Sequence, residues 1–517
     1  MNPKAARPTR ISDWVDANAE RDPLSTALAL PASFVSHTQF QAATLLAARQ
    51  LRAAGVRSGE HVGIILGTEV HEQLAYSYGA ARLGAVAVCI NARFKARELT
   101  YAIANSRLKL LLTSSWFASV LATADLPCTC RVMDVATDSH FLDAAAAVSE
   151  QAVHGETSKI RGEDPVRVIY TSGTTSMPMA CLHTPHALIA QGEAVATALS
   201  LTATDRFWTP LPMFHTGGWT PFLAAQSLGA ALHHAVRFEA SPALRQIVSQ
   251  RCTVLFPGFE TLWMAVLSEP GFCAEALAAA RMIIIFGVPE RLRVVQARYP
   301  GIPQVSNTGS TECGGFLCMG DPADPLERRV TSAGRLLDSM EARIVDPASG
   351  TDLQRGSVGE LLVRGPELFS EYFGDLAATS EAIDAAGWFH TGDLLAVDED
   401  GQFRFVGRLK DMLKVGGENV AAGEIEDHLL THPAVYIVAV VPAPDRKYGE
   451  VPAAFVQLRP GASATKEQLV AHCTGRIASF KVPRYVRFIG EWPMSVTKIR
   501  KVELRERMAA ELAQAGD

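Results

Sequence analysis

Tyr170-Thr171-Ser172-Gly173-Thr174-Thr175-Ser176-Met177-Pro178-Met179 is the segment from which the rest of the chain can be read. The apolar run before it, Pro165-Val166-Arg167-Val168-Ile169-Tyr170, reads as a strand. The turn then offers one glycine and the hydroxyls of Ser172, Thr174, Thr175 and Ser176. A loop of this kind turns backbone N–H groups and short donors toward phosphate oxygens. A loop that holds the outer phosphates of a nucleotide usually adds a lysine. Here that position is Met179.

Outward from this loop, strand and helix signals alternate. Residues 40–54 carry helical apolar spacing and stop at Gly55, a glycine suited to the C′ position. His61-Val62-Gly63-Ile64-Ile65-Leu66 reads as a strand, a helix follows through Leu83-Gly84, and Ala85 to Ile90 reads as the next strand. The pattern recurs around 186–236 and 242–288, where Met282-Ile283-Ile284-Ile285-Phe286 reads as a buried strand. Strand, helix, strand predicts βαβ units and largely parallel sheets. From about residue 331 short strands and turns such as Asp346-Pro347 and Asp400-Gly401 take over. After Gly407-Arg408-Leu409-Lys410-Asp411 the pattern predicts an α+β unit. It has a helix near 422–431, strands near 435–441 and 451–458, a helix near 465–478 and a strand near 484–489.

A chain of 517 residues has ample length for more than one core. Hydrophobic content of 48% and charged content of 20% fit a globular enzyme, and a net charge of −6 argues against a nucleic-acid footprint. Nine scattered cysteines without a CxxC pair suggest reduced thiols in a cytosol. Cys128-Thr129-Cys130 is a weak metal signal, and an ordinary loop is the favoured reading. The N-terminus lacks an apolar h-region and no apolar run is long enough to span a bilayer, so a cytoplasmic location without a membrane partner is expected.

Several further motifs follow in order, and together they resemble the adenylate-forming superfamily of acyl-CoA synthetases, luciferases and peptide-synthetase adenylation domains. Ile90-Asn91-Ala92-Arg93, Ser172 to Ser176, Gly416-Gly417-Glu418-Asn419-Val420 and Phe480-Lys481-Val482-Pro483 are similar to crotonobetaine/carnitine-CoA ligases. The resemblance implies a large N-terminal domain, 1–409, of stacked, largely parallel sheets with flanking helices and a small distorted barrel. It implies a small mobile α+β lid, 410–517, hinged at Lys410. It also implies that a carboxylate is joined to AMP and passed, after lid rotation, to the thiol of coenzyme A.

On that resemblance, Thr171, Ser172, Gly173, Thr174 and Thr175 cradle phosphates. Asn307-Thr308-Gly309-Ser310-Thr311-Glu312 is the second nucleotide motif, with Thr308 where an adenine-facing aromatic is usual. Thr311 donates to the α-phosphate, and Glu312 supplies a hard oxygen to Mg²⁺; read alone, Glu312 is an ordinary surface acid. Asp393, in Trp388-Phe389-His390-Thr391-Gly392-Asp393, accepts from both ribose hydroxyls and Arg408 donates to the same sugar. A turn cap and an ion pair are the plain alternatives for these two. Gly416 and Gly417 line a pantetheine tunnel where missing side chains allow close approach. In Pro212-Met213-Phe214-His215-Thr216-Gly217-Gly218, His215 gates the acyl pocket, or is a satisfied structural histidine. Gly287, Val288 and Pro289 set backbone against adenine and acyl group. Phe214, Trp219, Phe259 and Val288 line the acyl pocket, although core packing explains the same residue types. Lys498, in Pro493-Met494-Ser495-Val496-Thr497-Lys498, bridges the attacking carboxylate and the α-phosphate. His233-His234 has no counterpart and reads as ordinary surface or packing.

The departures from this pattern gather on ATP handling. Met179 replaces the loop lysine, Ala180 and Cys181 a Gly-Val pair, Ala187 an asparagine, Thr308 the aromatic and Thr497 a glycine. Asp393, Arg408, Lys410 and Gly416-Gly417 are intact. The asymmetry predicts an acyl-CoA ligase that makes the thioester from an acyl-adenylate and CoA, with the ATP-dependent step weakened or lost. A separate adenylating enzyme would then be its partner. The departures also resemble ligases of platensimycin/platencin-type biosynthesis, which implies a bulky terpenoid acid. Glu312 and Lys498 favour the alternative, a complete ATP-dependent synthetase for a small or medium acid. An acyl-adenylate-binding protein that loads a carrier in trans is the reading from another class. Many members of the superfamily are homodimers, and no dimer seam is visible in this sequence.

Overall fold

Runs of apolar residues with no polar alternation form strands buried on both faces, as parallel sheets require. Val86–Cys89 and Leu110–Thr113 are buried at every position, and Met282–Phe286 at all but the last. The structure, a computed structural model, describes residues 8–127, 130–171, 177–416, 418–494 and 499–515. These divide into two units, Met1–Glu341 with Arg364–Phe389, and Ala342–Val363 with His390–Asp517.

In the first unit, among the described residues, two seven-stranded sheets carry the fold. One runs in the order Gln304–Val305, Met282–Phe286, Val254–Phe259, Arg206–Thr209, Ala231–His234, Thr26–Ala29, Phe34–Ser36, all parallel except the last pair. The other runs Glu371–Tyr372, Met179–His183, Arg167–Thr171, Val86–Cys89, His61–Ile65, Leu110–Thr113, Arg131–Asp134. It is parallel except around Met179–His183, which is antiparallel to both neighbours. A three-stranded antiparallel sheet contains Asn307–Thr308, Cys318–Met319 and Arg335–Leu336.

Local chemistry sets the helix ends. Ser36 and Gln39 form a reciprocal capping box at the start of His37–Ala53, and Gly55 (φ 92°) lies just past its end. Thr184 caps Pro185–Ala198, with proline in the first turn. His233 and His234 are buried in the strand Ala231–His234: His233 Nδ1 meets Gln250 Oε1 and His234 Nε2 meets the Leu211 carbonyl.

In the second unit, a four-stranded sheet has the order Glu341–Val345, Gly359–Arg364, Phe389–Val397, Phe403–Arg408. A five-stranded sheet contains Met412–Val415, Glu418–Ala421, Val435–Asp445, Gly449–Leu458 and Tyr485–Phe488, packed against Ala422–Leu430 and Lys501–Ala515. Leu413, Ile425, Val435, Phe455, Leu469 and Met508 lie in its core. The helix read over 465–478 is shorter, Lys466–Cys473, because Thr474 turns extended (ψ 127°) and Gly475 follows at φ 74°. Contacts group 342–363 and 390–409 with the C-terminal residues, whereas the functional boundary expected from sequence falls at Lys410.

Candidate active site

The strands on either side of the phosphate-loop segment form an antiparallel pair. Thr171 ends one strand, Met179 begins the next, and the two are register partners. Met179 is therefore fixed at the base of the loop, half-buried. Ser172, Gly173, Thr174 and Thr175 lie outside the described residues, as do Gly417 and Lys498. Behind Met179, Cys181 is fully buried, and burial pushes its thiol well above the usual range.

The second nucleotide motif is held by a tight double-glycine turn. Gly314 and Gly315 both take positive φ, and Thr220 Oγ1 donates to the Gly314 carbonyl at 2.8 Å. A Cβ on Gly309 would lie 1.8 Å from the Gly315 carbonyl oxygen, so this crossing admits only glycine. Thr311 is buried, and Glu312 Oε1 accepts a hydrogen bond from Tyr372 Oη at 2.9 Å. Burial, with the Glu312 carboxylate beside it, drives the Tyr372 phenol far above its ordinary range, so Tyr372 keeps the proton it donates to Glu312. Thr308 is half-buried opposite Cys318. Asn307 is 4% exposed, and both polar atoms of its side chain lack a partner among the described residues. A buried amide left open in a nucleotide motif fits a heterocycle edge that both donates and accepts.

His215 is the N-cap of Thr216–Leu228, and its Nδ1 accepts from the Gly217 N–H at 3.1 Å. The gate segment before it is braced from beneath by Arg167, which is 1% exposed. Its Nη2 donates to the Met213 carbonyl at 2.9 Å and its guanidinium lies 3.3 Å from the Trp219 ring centroid. Trp219 itself is 1% exposed and packs on Tyr78 and Phe222, so its visible role is in the core. Phe214 is also buried.

Phe259 and Val288, expected from sequence to line an acyl pocket, lie at or just past the carboxyl ends of two parallel strands, where open α/β sheets bind ligands. Phe259 and Phe286 are register partners on Val254–Phe259 and Met282–Phe286, both half-buried, with ring centroids 5.9 Å apart. Phe256 and Phe316, both buried, lie edge to face behind them at 5.0 Å. Gly287 and Val288 follow, and Val288 is the N-cap of Pro289–Gln296.

In the second unit, Asp393 and Arg408 face each other in register on antiparallel strands, with Arg408 Nε 2.8 Å from Asp393 Oδ1. Glu360 on the neighbouring strand shapes the turn: it is 7% exposed, its Oε1 accepts from the Gly392 N–H and its Oε2 lies 3.3 Å from His390 Nδ1. Thr391 Oγ1 donates to the Leu361 carbonyl and accepts from the Asp393 N–H. Sequence reasoning missed Glu360 and Tyr372, which belong to no motif read there, and took Arg167 only as part of a strand. Lys410 lies in the one-turn helix Leu409–Asp411. Gly416 has φ 59°, and its N–H donates to the Tyr448 carbonyl. Met494 and Ile499 form an isolated antiparallel bridge, and the Arg500 N–H donates to the Pro493 carbonyl. Beyond it, burial opposes the charge of Lys501, but Glu426 and Asp411 outweigh burial and hold the ammonium above its usual range.

The model of the AMP-binding enzyme family matches residues 15–373, and that of the AMP-binding enzyme C-terminal domain matches 424–498. The chain belongs to the AMP-binding enzyme family. This AMP-binding enzyme is of the acyl-CoA synthetase type. It is 33% identical to indoleacetate–CoA ligase of Aromatoleum aromaticum, over 96% of this chain and 98% of the relative. It is 31% identical to a methyl-dioxo-octahydroindenyl-propanoyl:CoA ligase of Mycobacterium tuberculosis, over 94% and 96%. Among solved structures, an anthranilate CoA ligase in complex with anthranoyl-AMP superposes with a TM-score of 0.87 at 25% identity, covering 98% of this chain and 99% of that one. Among the described residues no helix is long and apolar enough to cross a membrane, and no cluster of three or more His, Cys, Asp or Glu could hold a metal ion.

Proposed function

We infer that this AMP-binding enzyme makes an acyl-CoA thioester from an acyl-adenylate and coenzyme A, and that its own ATP-dependent adenylation is weak or absent. The CoA sulfur attacks the acyl carbonyl, a C–S bond forms, the C–O bond to AMP breaks, AMP leaves, and the thiol proton passes to solvent. One observation supports the split above the others. The Asp393–Arg408 pair expected to hold the ribose is in register and in contact, whereas Met179 stands at the base of the phosphate loop where a lysine is expected. A charge-assisted contact to phosphate contributes about 1.5–3 kcal/mol, so its loss weakens ATP or transition-state binding by roughly ten- to a hundred-fold.

The residues of the second motif fit the adenylate: Asn307 offers an open amide, and Glu312, oriented by Tyr372, offers the oxygen chemistry Mg²⁺ takes. On this reading Lys498 and His215 serve the acyl–phosphate junction, Lys410 is the hinge, and 410–517 moves as the lid. The half-buried Phe259–Phe286 pair favours a bulky, ring-bearing apolar acid, terpenoid acids included. Ring-bearing groups stand in the names of the two relatives and of the solved complex, while other relatives at 27–29% identity are named medium-chain acyl-CoA ligases.

The test uses purified protein. Pyrophosphate exchange with ATP, Mg²⁺ and a panel of acids (arylacetic, polycyclic terpenoid, medium straight-chain, carnitine-like) should be near background. Synthetic acyl-AMP with CoA should give acyl-CoA for the ring-bearing members. Equal rates in the two assays would instead establish a complete synthetase, the reading that the ordered Glu312–Tyr372 pair favours. Acyl-AMP binding without any response to CoA would leave carrier loading in trans.

A further inference from the structure

Glu260 belongs to no motif, yet it lies at the seam of the acyl-facing wall. The strands Val254–Phe259 and Met282–Phe286 are parallel neighbours with Phe259 opposite Phe286. The next residues, Glu260 and Gly287, are thereby brought side by side at the two carboxyl ends. Glu260 opens the helix Glu260–Leu267, and Val288 is the N-cap of Pro289–Gln296 without a side-chain cap of its own. Glu260 is 8% exposed. Its Oε2 accepts from the Val288 N–H at 3.2 Å and its Oε1 accepts from Arg291 Nη1 at 2.5 Å. One carboxylate thus serves two positive helix N-termini and a guanidinium.

Gly287 supplies a second, independent sign that this arrangement is fixed. A Cβ there would lie 2.1 Å from Glu260 Oε2 and 3.0 Å from Leu292 Cδ2. The carboxylate is held by Val288 and Arg291 and has no cheap way to withdraw. The clamp therefore joins Phe259 on one strand end to Gly287 and Val288 on the other.

We propose that Glu260, paired with Arg291, is a positioning residue that holds the Phe259–Phe286 wall and the Gly287–Val288 backbone in register for the acyl-adenylate. The role rests on the adenylate-binding reading above. Glu260 touches no reacting atom; it acts through Val288. Burial, the largest influence, raises the Glu260 carboxyl above its ordinary range, while Arg291 and the Val288 N–H act the other way.

The experiment measures binding of AMP and of indole-3-acetyl sulfamoyl adenosine, a stable acyl-adenylate mimic, by calorimetry, together with KM for acyl-AMP and for CoA. Glu260→Ala should weaken the mimic by about tenfold or more, the worth of a hydrogen bond to a charged group. KM for acyl-AMP should rise in step, with KM for CoA unchanged. Glu260→Gln keeps an oxygen for the Val288 N–H and should recover most of the loss. Gly287→Ala should reproduce the Glu260→Ala defect, and the double variant should lose less than the sum of the two, because the 2.1 Å collision with Glu260 Oε2 is gone and only the 3.0 Å approach to Leu292 Cδ2 remains. Wild-type affinity in folded Glu260→Ala, or additive losses in the double variant, overturns the proposal. If Glu260→Ala does not fold, Glu260→Gln and Gly287→Ala carry the comparison, and equal wild-type affinity in both overturns it. Wild-type protein that binds neither AMP nor the mimic instead defeats the adenylate-binding reading.

Discussion

Arg408 and Asp393 are register partners on adjacent antiparallel strands, and Arg408 Nε stands 2.8 Å from Asp393 Oδ1. The pair sets an acceptor and a donor side by side, as the proposed ribose contact requires, and Glu360 fixes the turn that carries Asp393. Asp393→Ala and Arg408→Ala should each weaken AMP binding by about tenfold or more. Calorimetry with AMP decides this, and unchanged affinity in both variants removes the ribose assignment.

Met179→Lys returns a cation to the base of the phosphate loop. Pyrophosphate exchange should rise by roughly ten- to a hundred-fold, while the acyl-AMP and CoA rate stays where it was. A variant that folds, binds AMP and shows no gain in exchange would mean that the missing lysine is not what limits adenylation.

Gly309→Ala places a methyl against backbone with no free side chain to yield, 1.8 Å from the Gly315 oxygen. The turn that holds Thr311 and Glu312 must shift. Loss of AMP binding and a stability cost of about 1–3 kcal/mol are expected, read by calorimetry and by denaturant unfolding. Wild-type behaviour in both would show that the turn can relax freely.

Acid should destabilise the chain earlier than its carboxylates alone require. Burial holds His183 down to about 3, and His233 and His234 down to about 4. The geometry of His234 agrees with a neutral ring, since Nε2 meets the Leu211 carbonyl while Nδ1 accepts from the Val236 N–H. The unfolded chain binds protons at these positions near pH 6.5, and the folded chain does not. Their contribution is therefore complete above about pH 6.5 and is lost as pH falls toward 4, at about 1.4 kcal/mol per pH unit for each histidine. Tm measured across that range should decline steadily, and a flat profile between pH 6.5 and 5 contradicts it.

Much of the architecture was legible because buried parallel strands write themselves as uninterrupted apolar runs. Val86–Cys89, Arg167–Thr171 and Met282–Phe286 were each readable as strands. The braces were not legible. Glu260 and Gly287 are adjacent only because Phe259 pairs with Phe286, a register that no local pattern encodes. Arg167 reads as a polar break in a strand, and its place beneath Met213 and Trp219 depends on a contact 46 residues away. Trp219 shows the limit of residue type, since a large apolar side chain suits a pocket wall and a core equally. Helix Lys466–Cys473 ended early because Gly475 adopts a left-handed backbone conformation, which glycine permits but does not announce.

Met179 sits across from Thr171 at the first position of its strand, half-buried, whereas Cys181 two residues on is fully buried. A methionine codon becomes a lysine codon by a single base change. On the proposed reading, dependence on another enzyme for activated acid is thus held in place by selection rather than by architecture, and self-sufficiency lies one mutational step away at this position.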